Sequence, residues 1–242
     1  MKATGYSDIG MVRHSNQDAF VIGELSDKAT FAVVCDGMGG ANGGNVASQM
    51  AVDNLSASLK SGFRPNMSEA SIKNLINSAV SSTNIKVFDK AKENKELSGM
   101  GTTVVVVLIL DNTAYIAHAG DSRAYRFSKN NLEQITRDHS IVQNMIEDGK
   151  LTVEEARFHP RKNVITRALG VEENVKVEFT VVDLIKGDKL LICTDGLSNY
   201  VSAEDIAALL SKDGIENIAK TLVNVANSNG GGDNITAVVI EN

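Results

Sequence analysis

Cysteine, proline and aromatic residues are all scarce in this chain. Its 242 residues include two cysteines, two prolines, no tryptophan and only 5% aromatics. Two cysteines exclude the disulfide framework of a small secreted fold. Because Cys35 and Cys193 each lie inside an apolar run of strand character, the sequence predicts buried free thiols and a reducing compartment, the cytoplasm. No Cys-x-x-Cys pair occurs, and His14, His118, His139 and His159 are scattered singly, which excludes the usual zinc spacings. There is also no Cys-x5-Arg loop of the kind a thiolate phosphatase needs. Positive charge is in deficit: the formal net charge is -6, which leaves no basic footprint for nucleic acid or anionic lipid. The longest unbroken apolar run, Val104–Leu110, is far short of the ~20 residues that span a bilayer, and the Met1 end has no apolar segment followed by a small-residue cleavage site.

Against these absences stands a 43% apolar content, enough to bury a substantial core. Pro65 and Pro160 stand far apart and no low-complexity linker divides the chain, so residues 1–242 are read as one domain. Runs rich in β-branched residues predict strands over 18–24, 30–35, 102–110, 114–119, 124–127, 175–182, 189–194 and 235–240. Helical periodicity predicts a pair of helices over 44–59 and 69–91, and a second pair over 203–210 and 215–226, the first of which is opened by Ser202 as a cap. Strands on either side of paired helices suggest antiparallel sheets covered by helices, not a regular βαβ alternation. The segment 139–169 breaks this order, with short helical signals, including a Thr152/Glu155 capping box, and no sustained strand.

Carboxylates recur where apolar strands end. Phe31 to Cys35 runs into Asp36-Gly37, and Leu190 to Thr194 runs into Asp195-Gly196. The strand at Tyr115 ends in Gly120-Asp121, and Asp233-Asn234 precedes the last strand. A carboxylate beside buried strands is costly to desolvate unless a cation compensates it. Each Asp-Gly alone is an ordinary turn signal, but four such acids together call for a metal, and an all-oxygen donor set favours magnesium or manganese. Arg13, with Asn16 and Asp18 just beyond it, adds a guanidinium fork suited to two phosphate oxygens and a further carboxylate.

In order along the chain stand Arg13-x-x-Asn16-x-Asp18, Asp36-Gly37-Met38-Gly39-Gly40, Gly101-Thr102-Thr103, Gly120-Asp121-Ser122-Arg123, Asp138-His139, Thr194-Asp195-Gly196-Leu197 and Gly232-Asp233-Asn234. This ordered set resembles the metal-dependent protein phosphatases of the PPM or PP2C class, and in particular the small bacterial enzymes that consist of the catalytic domain alone. The resemblance implies an α+β fold, a four-layer αββα sandwich of two mainly antiparallel sheets flanked by helices, with a metal cluster at one end. By position, Asp36 would bridge two Mn2+ or Mg2+ ions, the Gly37 carbonyl would bind the second, and Asp195 with Asp233 would complete the first. A weaker third ion would take Asp121 and Asp195. Arg13 would bind the phosphate, and Asp18 would orient the attacking water. A hydroxide bridging the two core ions would then hydrolyse phosphoserine and phosphothreonine directly, without a phosphoenzyme.

In one place the chain departs from many eukaryotic members: Met38 occupies the position of a histidine assigned there as general acid, and methionine has no proton to give. His14 is a candidate replacement, while His118, set in an apolar alternation, reads as a core residue. Thr102 and Thr103 read as structural hydroxyls near the cluster. The 139–169 segment matches the family's flap, and Arg157, Arg161 and Lys162 are candidates for selecting substrates. The implied partners are phosphorylated proteins and an opposing serine/threonine kinase, with the phosphatase acting as a monomer. Two readings compete: a metal-dependent phosphodiesterase, which would normally carry a basic track for its polymer, and a phosphoprotein-binding pseudophosphatase, which should have lost ligand acids, whereas Asp36, Asp195 and Asp233 are all present.

Overall fold

The computed structural model describes residues 1–212 and 214–242, the side chains of 41 and 42 excepted. In chain order the elements are β1 (Lys2–Asp8), β2 (Asp18–Ser26), β3 (Ala29–Met38), α1 (Gly40–Gly62), α2 (Glu69–Glu93), β4 (Gly101–Thr102), β5 (Val104–Leu110), β6 (Thr113–Ala119), β7 (Arg123–Ser128), β8 (Asn131–Gln134), α3 (Ile141–Glu147), α4 (Val153–Phe158), β9 (Glu178–Asp183), β10 (Lys189–Cys193), α5 (Asp195–Ser198), α6 (Ala203–Leu210), α7 (Ile218–Ser228) and β11 (Ile235–Glu241). One sheet runs β1-β11-β10-β7-β8 and the other β2-β3-β5-β6-β9, with β4 paired to the end of β3; the ladders are antiparallel.

The period-two alternation of each strand sorts its side chains into separate cores. On β3, Phe31, Val33 and Cys35 point outward and pack with Ala51, Leu55 and Leu59 of α1 and Ile72, Ile76 and Val80 of α2. Ala32 and Val34 point the other way and meet Ile192, Val238 and Ile240 of the opposite sheet. On the far side, Leu191, Cys193, Ala237 and Val239 pack beneath Ile206, Leu210, Leu222 and Val223 of α6 and α7. The layers are therefore helix, sheet, sheet, helix. The unbroken apolar run of β5 follows from this, because a strand covered on both faces has no solvent side to mark with polar residues. Each fully buried Val, Leu or Ile contributes about 1.5–3 kcal/mol relative to exposure, so the central layer supplies much of the driving force for folding.

Local signals set several boundaries. Ser202 caps α6 by accepting from Asp205 N, and Thr152 with Glu155 forms a reciprocal capping box on α4. Lys189 is buried, and its Nζ donates to Leu210 O and Lys212 O at 2.7 and 2.8 Å, satisfying carbonyls at the end of α6.

Some expectations are corrected. β1 and β8 carry no strand signal in the sequence. β1 is held by its register with β11, and Gly5 on it lies against the Phe20 ring, where a Cβ would come within 2.4 Å. β8 closes a two-residue hairpin through Lys129 and Asn130, both at positive φ. β3 continues past Cys35 to Met38 because β4 supplies a partner for Gly37 and Met38. β9 begins at Glu178 and not at 175, since its register with β6 ends at His118↔Glu178. α7 begins at Ile218, because Ile215 is buried in the preceding turn and the non-helical Asn217 precedes the helix.

Candidate metal centre at one end of the sandwich

Every strand entering the inter-sheet layer changes character at the same end. Ala32 and Val34 lead to Asp36 on β3, and Ile22 and Phe20 lead to Asp18 on β2. Val107 and Val105 on β5 lead to Thr103. From the other sheet, Leu190 and Ile192 lead to Thr194, and Ile240 and Val238 lead to Thr236. Apolar filling thus gives way to a shell of oxygens between the sheets.

Asp18 and Asp36 are direct partners in the β2–β3 register. The backbone of Asp36 is clamped from both sides: its N–H donates to Thr103 Oγ1 at 2.9 Å, while its carbonyl accepts from Thr102 Oγ1 at 2.9 Å and from Thr103 N at 2.8 Å. Thr103 Oγ1 also lies 2.7 Å from Ser122 Oγ, which links Asp36 to the turn carrying Asp121. Asp18 Oδ2 accepts from Thr194 Oγ1 at 2.8 Å and from Thr236 Oγ1 at 2.7 Å. Its other oxygen, Oδ1, is buried without a hydrogen-bond partner.

Asp195 opens the short helix α5, and Asp233 precedes β11. Gly196 is required beside Asp195, because a Cβ there would meet Asn234 O at 1.9 Å. Asn234 is the staple of this corner: its Nδ2 donates to Ile9 O and Ser15 O, both at 2.9 Å, and its Oδ1 accepts from Gln17 N at 2.8 Å. That staple holds the loop bearing Arg13, whose Nη2 donates to Asp233 Oδ2 at 2.8 Å. Gly37 is packed so closely that a Cβ would lie 2.0 Å from Gly44 O.

The electrostatics follow from this crowding. Burial, and then the neighbouring carboxylates Asp18, Asp195, Asp121 and Asp233, hold Asp36 well above its ordinary pKa. Burial pushes Asp18 up to about 7 even though two hydroxyls oppose the shift. Burial, then Asp195 and Asp138, bring Asp121 to about 8. Burial and Asp233 bring Asp195 to about 6. Arg123 lowers the pKa of Asp195, but its guanidinium is already committed to Asp138 through bonds of 2.8 and 2.6 Å. Arg13, bonded to Asp233, also faces Asp36 and Asp195. An orphaned buried carboxylate oxygen, mutual repulsion and a donor set made only of hard oxygens together fit divalent cations of the magnesium or manganese type.

Among the described residues, the group that brings three possible ligand atoms within 4.8 Å of one another is a different one, His118, His139 and Glu178. Its geometry argues against a metal. The two imidazoles stack at 4.6 Å with planes 9° apart, so their in-plane lone pairs share no common point. His139 Nδ1 accepts from Gly120 N at 3.1 Å, and its Nε2 is already occupied between Glu178 Oε1 at 3.1 Å and Arg167 Nη1 at 2.9 Å. Arg167 Nη1 lies 3.0 Å from the same carboxylate oxygen and already serves as its cation. Burial and the neighbouring His118 push His139 down to about 4, so it is a neutral structural ring.

The structure thus gathers Asp18, Asp36, Asp121, Asp195 and Asp233 at one end of the sandwich, with Arg13 and Gly37 at its margin. His14 is exposed on the Arg13 loop, and His118 is buried with Nε2 2.8 Å from Arg137 O. Sequence reasoning missed Thr236, which bonds Asp18, and gave no role to Thr194 or to the Asn234 staple. A lone threonine in a strand carries no signal of its own, although Asn234 sits inside a quoted motif and invited the question.

Comparison with known proteins bears on the family and the fold. The protein phosphatase 2C family matches residues 10–237. A serine/threonine phosphatase stp of Listeria welshimeri is 38% identical over 242 residues, covering 100% of this chain and 96% of its own. The crystal structure of the serine/threonine phosphatase Stp1 from Staphylococcus aureus superposes with a TM-score of 0.93 at 35% identity, covering 100% of this chain and 94% of that one. The catalytic domain of the serine/threonine protein phosphatase PstP, in complex with two manganese ions, superposes with a TM-score of 0.86 at 33% identity, covering 99% and 97%. The chain belongs to the protein phosphatase 2C family.

Proposed function

We propose that this chain is a metal-dependent protein phosphatase that hydrolyses phosphoserine and phosphothreonine monoesters in other proteins. The observation that carries the reading is the half-buried pairing of Asp18 with Asp36, ringed by Asp121, Asp195 and Asp233, with the Arg13 guanidinium bonded to Asp233 at its margin. Asp36, Asp195, Asp233 and the Gly37 carbonyl would hold two core ions of Mn2+ or Mg2+, and Asp121 with Asp195 a third. When bound, such ions supply Lewis acidity toward phosphoryl oxygens and acidify water.

The chain's own groups supply the rest. Arg13 uses one nitrogen on Asp233 and keeps half its side chain exposed, so its remaining donors are free to grip phosphate oxygens. Asp18, with Oδ2 fixed by two hydroxyls, presents Oδ1 to accept a proton from the attacking water. Met38 carries no proton, so it does not protonate the leaving alkoxide, and the exposed His14 on the Arg13 loop is the candidate side chain for that step.

We read residues 1–242 as one catalytic domain in which 139–169 forms a flap, with the exposed Arg157, Arg161 and Lys162 contacting protein substrates. Flap deletion that left relative rates on several phosphoproteins unchanged would remove that role. A monomer in the cytoplasm, opposing the kinase that makes its substrates, is the setting that suits the chain. Its net charge of -6 and the absence, among the described residues, of a helix long and apolar enough to cross a membrane accord with that setting.

The test compares a phosphothreonine peptide, a small aryl phosphate and a bis-aryl phosphodiester, each with manganese and with chelator. Manganese-dependent cleavage of the two monoesters, with the diester resistant, is the expected result. Preferential diester cleavage, or binding of the phosphopeptide without turnover, would replace the reading with a phosphodiesterase or a pseudophosphatase.

A further inference from the structure

Beside the aspartate cluster lies a groove of about 480 Å³, bounded on one side by Met38 and on the other by the chain leaving the 139–169 segment. Met38 lies two residues beyond Asp36 on β3 and so points to the same face, roughly 7 Å along the strand. Met38 is thus the lining residue through which the groove borders the cluster. Its apolar walls are Met38, Ile165, Val171 and Val175, and behind them a Cβ on Gly101 would come within 2.8 Å of Leu169 O and Val171 Cγ2 and 3.0 Å of Met38 Cε.

The far wall is built in and is not a loose loop. Asn84, buried on α2, donates from Nδ2 to Glu172 O at 3.0 Å and to Glu173 O at 2.9 Å, and its Oδ1 accepts from Gly170 N at 2.8 Å. Leu169 and Thr102 exchange backbone bonds of 2.8 and 3.0 Å at its root. A single buried side chain thus fixes the stretch that carries Val171, which is itself 48% exposed. Of the cations in the lining, Arg167 is tied to Glu178, whereas Lys176 is exposed at the rim.

We propose that this groove is the subsite for the polypeptide flanking the phosphorylated residue, and that it takes an apolar side chain against Val171 and Met38 with an acidic neighbour near Lys176. The proposal rests on the phosphoprotein phosphatase reading and names the substrate sequence that the site prefers. An extended peptide whose phosphate lies at the aspartate cluster must run out along one of the bordering surfaces, and this apolar channel begins one strand repeat away. A free aryl phosphate has no flanking polypeptide to place there.

The test uses the full chain with manganese, p-nitrophenyl phosphate, and two phosphothreonine peptides that differ only in carrying Leu-Glu or Gly-Gly beside the phosphoresidue. The wild type should prefer the Leu-Glu peptide by about tenfold in kcat/KM, the scale set by one apolar side chain entering a pocket. Val171→Asp and Asn84→Ala should remove that preference through KM, and Lys176→Glu should reduce it, all three leaving p-nitrophenyl phosphate turnover within about twofold. Unchanged preference in Val171→Asp, or equal losses on both peptides and on p-nitrophenyl phosphate, overturns the subsite. Absence of any monoester cleavage by the wild type overturns the phosphatase reading itself, and the subsite with it, so the two failures are distinguishable.

Discussion

Asp18 and Asp36 face each other across the β2–β3 ladder, two carboxylates at directly opposed positions on the face between the sheets. Like charges placed opposite on a ladder repel, and burial magnifies the cost. A fold that keeps this arrangement is less stable than it would be without it, unless a cation arrives. Function and stability are therefore opposed in the metal-free protein.

Replacing Asp36 with Asn should separate the two. Losing a central ligand removes several kcal/mol of charge stabilisation in the transition state, so phosphopeptide turnover should fall by about 10³-fold or more. The metal-free variant should nevertheless unfold at a higher temperature than the metal-free wild type, because one buried negative charge is gone. Calorimetry in chelator together with a manganese assay checks both directions at once.

The pH dependence of metal-free stability carries the same signature. Asp18 and Asp121 titrate near 7 and 8 in the folded chain, against an ordinary value of 3.8. Above pH 6.5 the unfolded chain has already released these protons while the folded chain still holds them, so stability should fall as pH rises toward 8.5. His139, with its folded value near 4, has an opposing influence only below that window. Manganese should reverse the trend, since ions displace the protons and bind more tightly at higher pH. Melting temperatures at pH 6.5, 7.5 and 8.5, with chelator and with manganese, give the sign.

The hydroxyl pair on Asp18 predicts a positioning effect. Thr194→Val and Thr236→Val each remove a donor to Oδ2 while leaving the side chain's shape nearly intact. Each should lower kcat by about 10- to 100-fold, the usual scale for groups that orient a metal site's own residues. The double variant should lose less than the product of the two, because both act on one carboxylate. Steady-state rates for the four proteins, with circular dichroism to verify folding, complete the cycle.

A purely structural prediction concerns Lys189. Its ammonium satisfies two carbonyls at the end of α6 from a buried position, and Lys189→Met leaves both without that donor. The cost should be about 1.5–3 kcal/mol of stability, read as a lower urea midpoint with an unchanged slope, while turnover under native conditions stays near wild type.

How much of this was legible beforehand depended on chain separation. The layer architecture could be read because β3, β5, β10 and β11 carry dense apolar runs and α1 and α2 carry helical periodicity. β1 and β8 could not, because Lys2–Asp8 and Asn131–Gln134 owe their strand character to partners and not to composition. In the site, Asp36, Asp121, Asp195 and Asp233 stood out since each borders an apolar strand with Asp-Gly or Gly-Asp. Thr236 did not, because its role exists only once β11 lies beside β2, 218 residues distant from Asp18. Asn84 was hidden for the same reason: inside a helix its sequence context is that of any polar residue, and its three bonds reach a loop 86 to 89 positions away. The His118–His139 stack is likewise a product of tertiary packing, and its charged partner Arg167 is what turns a metal-like grouping into a structural one.

The central claim is that the aspartates at this end of the sandwich hold a pair of divalent ions. Anomalous diffraction from crystals grown with manganese tests it most directly. The account predicts two strong peaks bordered by Asp36, Asp195 and Asp233, with any weaker third peak at Asp121. Peaks located only at the His118–His139–Glu178 group, or no peak among the aspartates at saturating manganese, would contradict it.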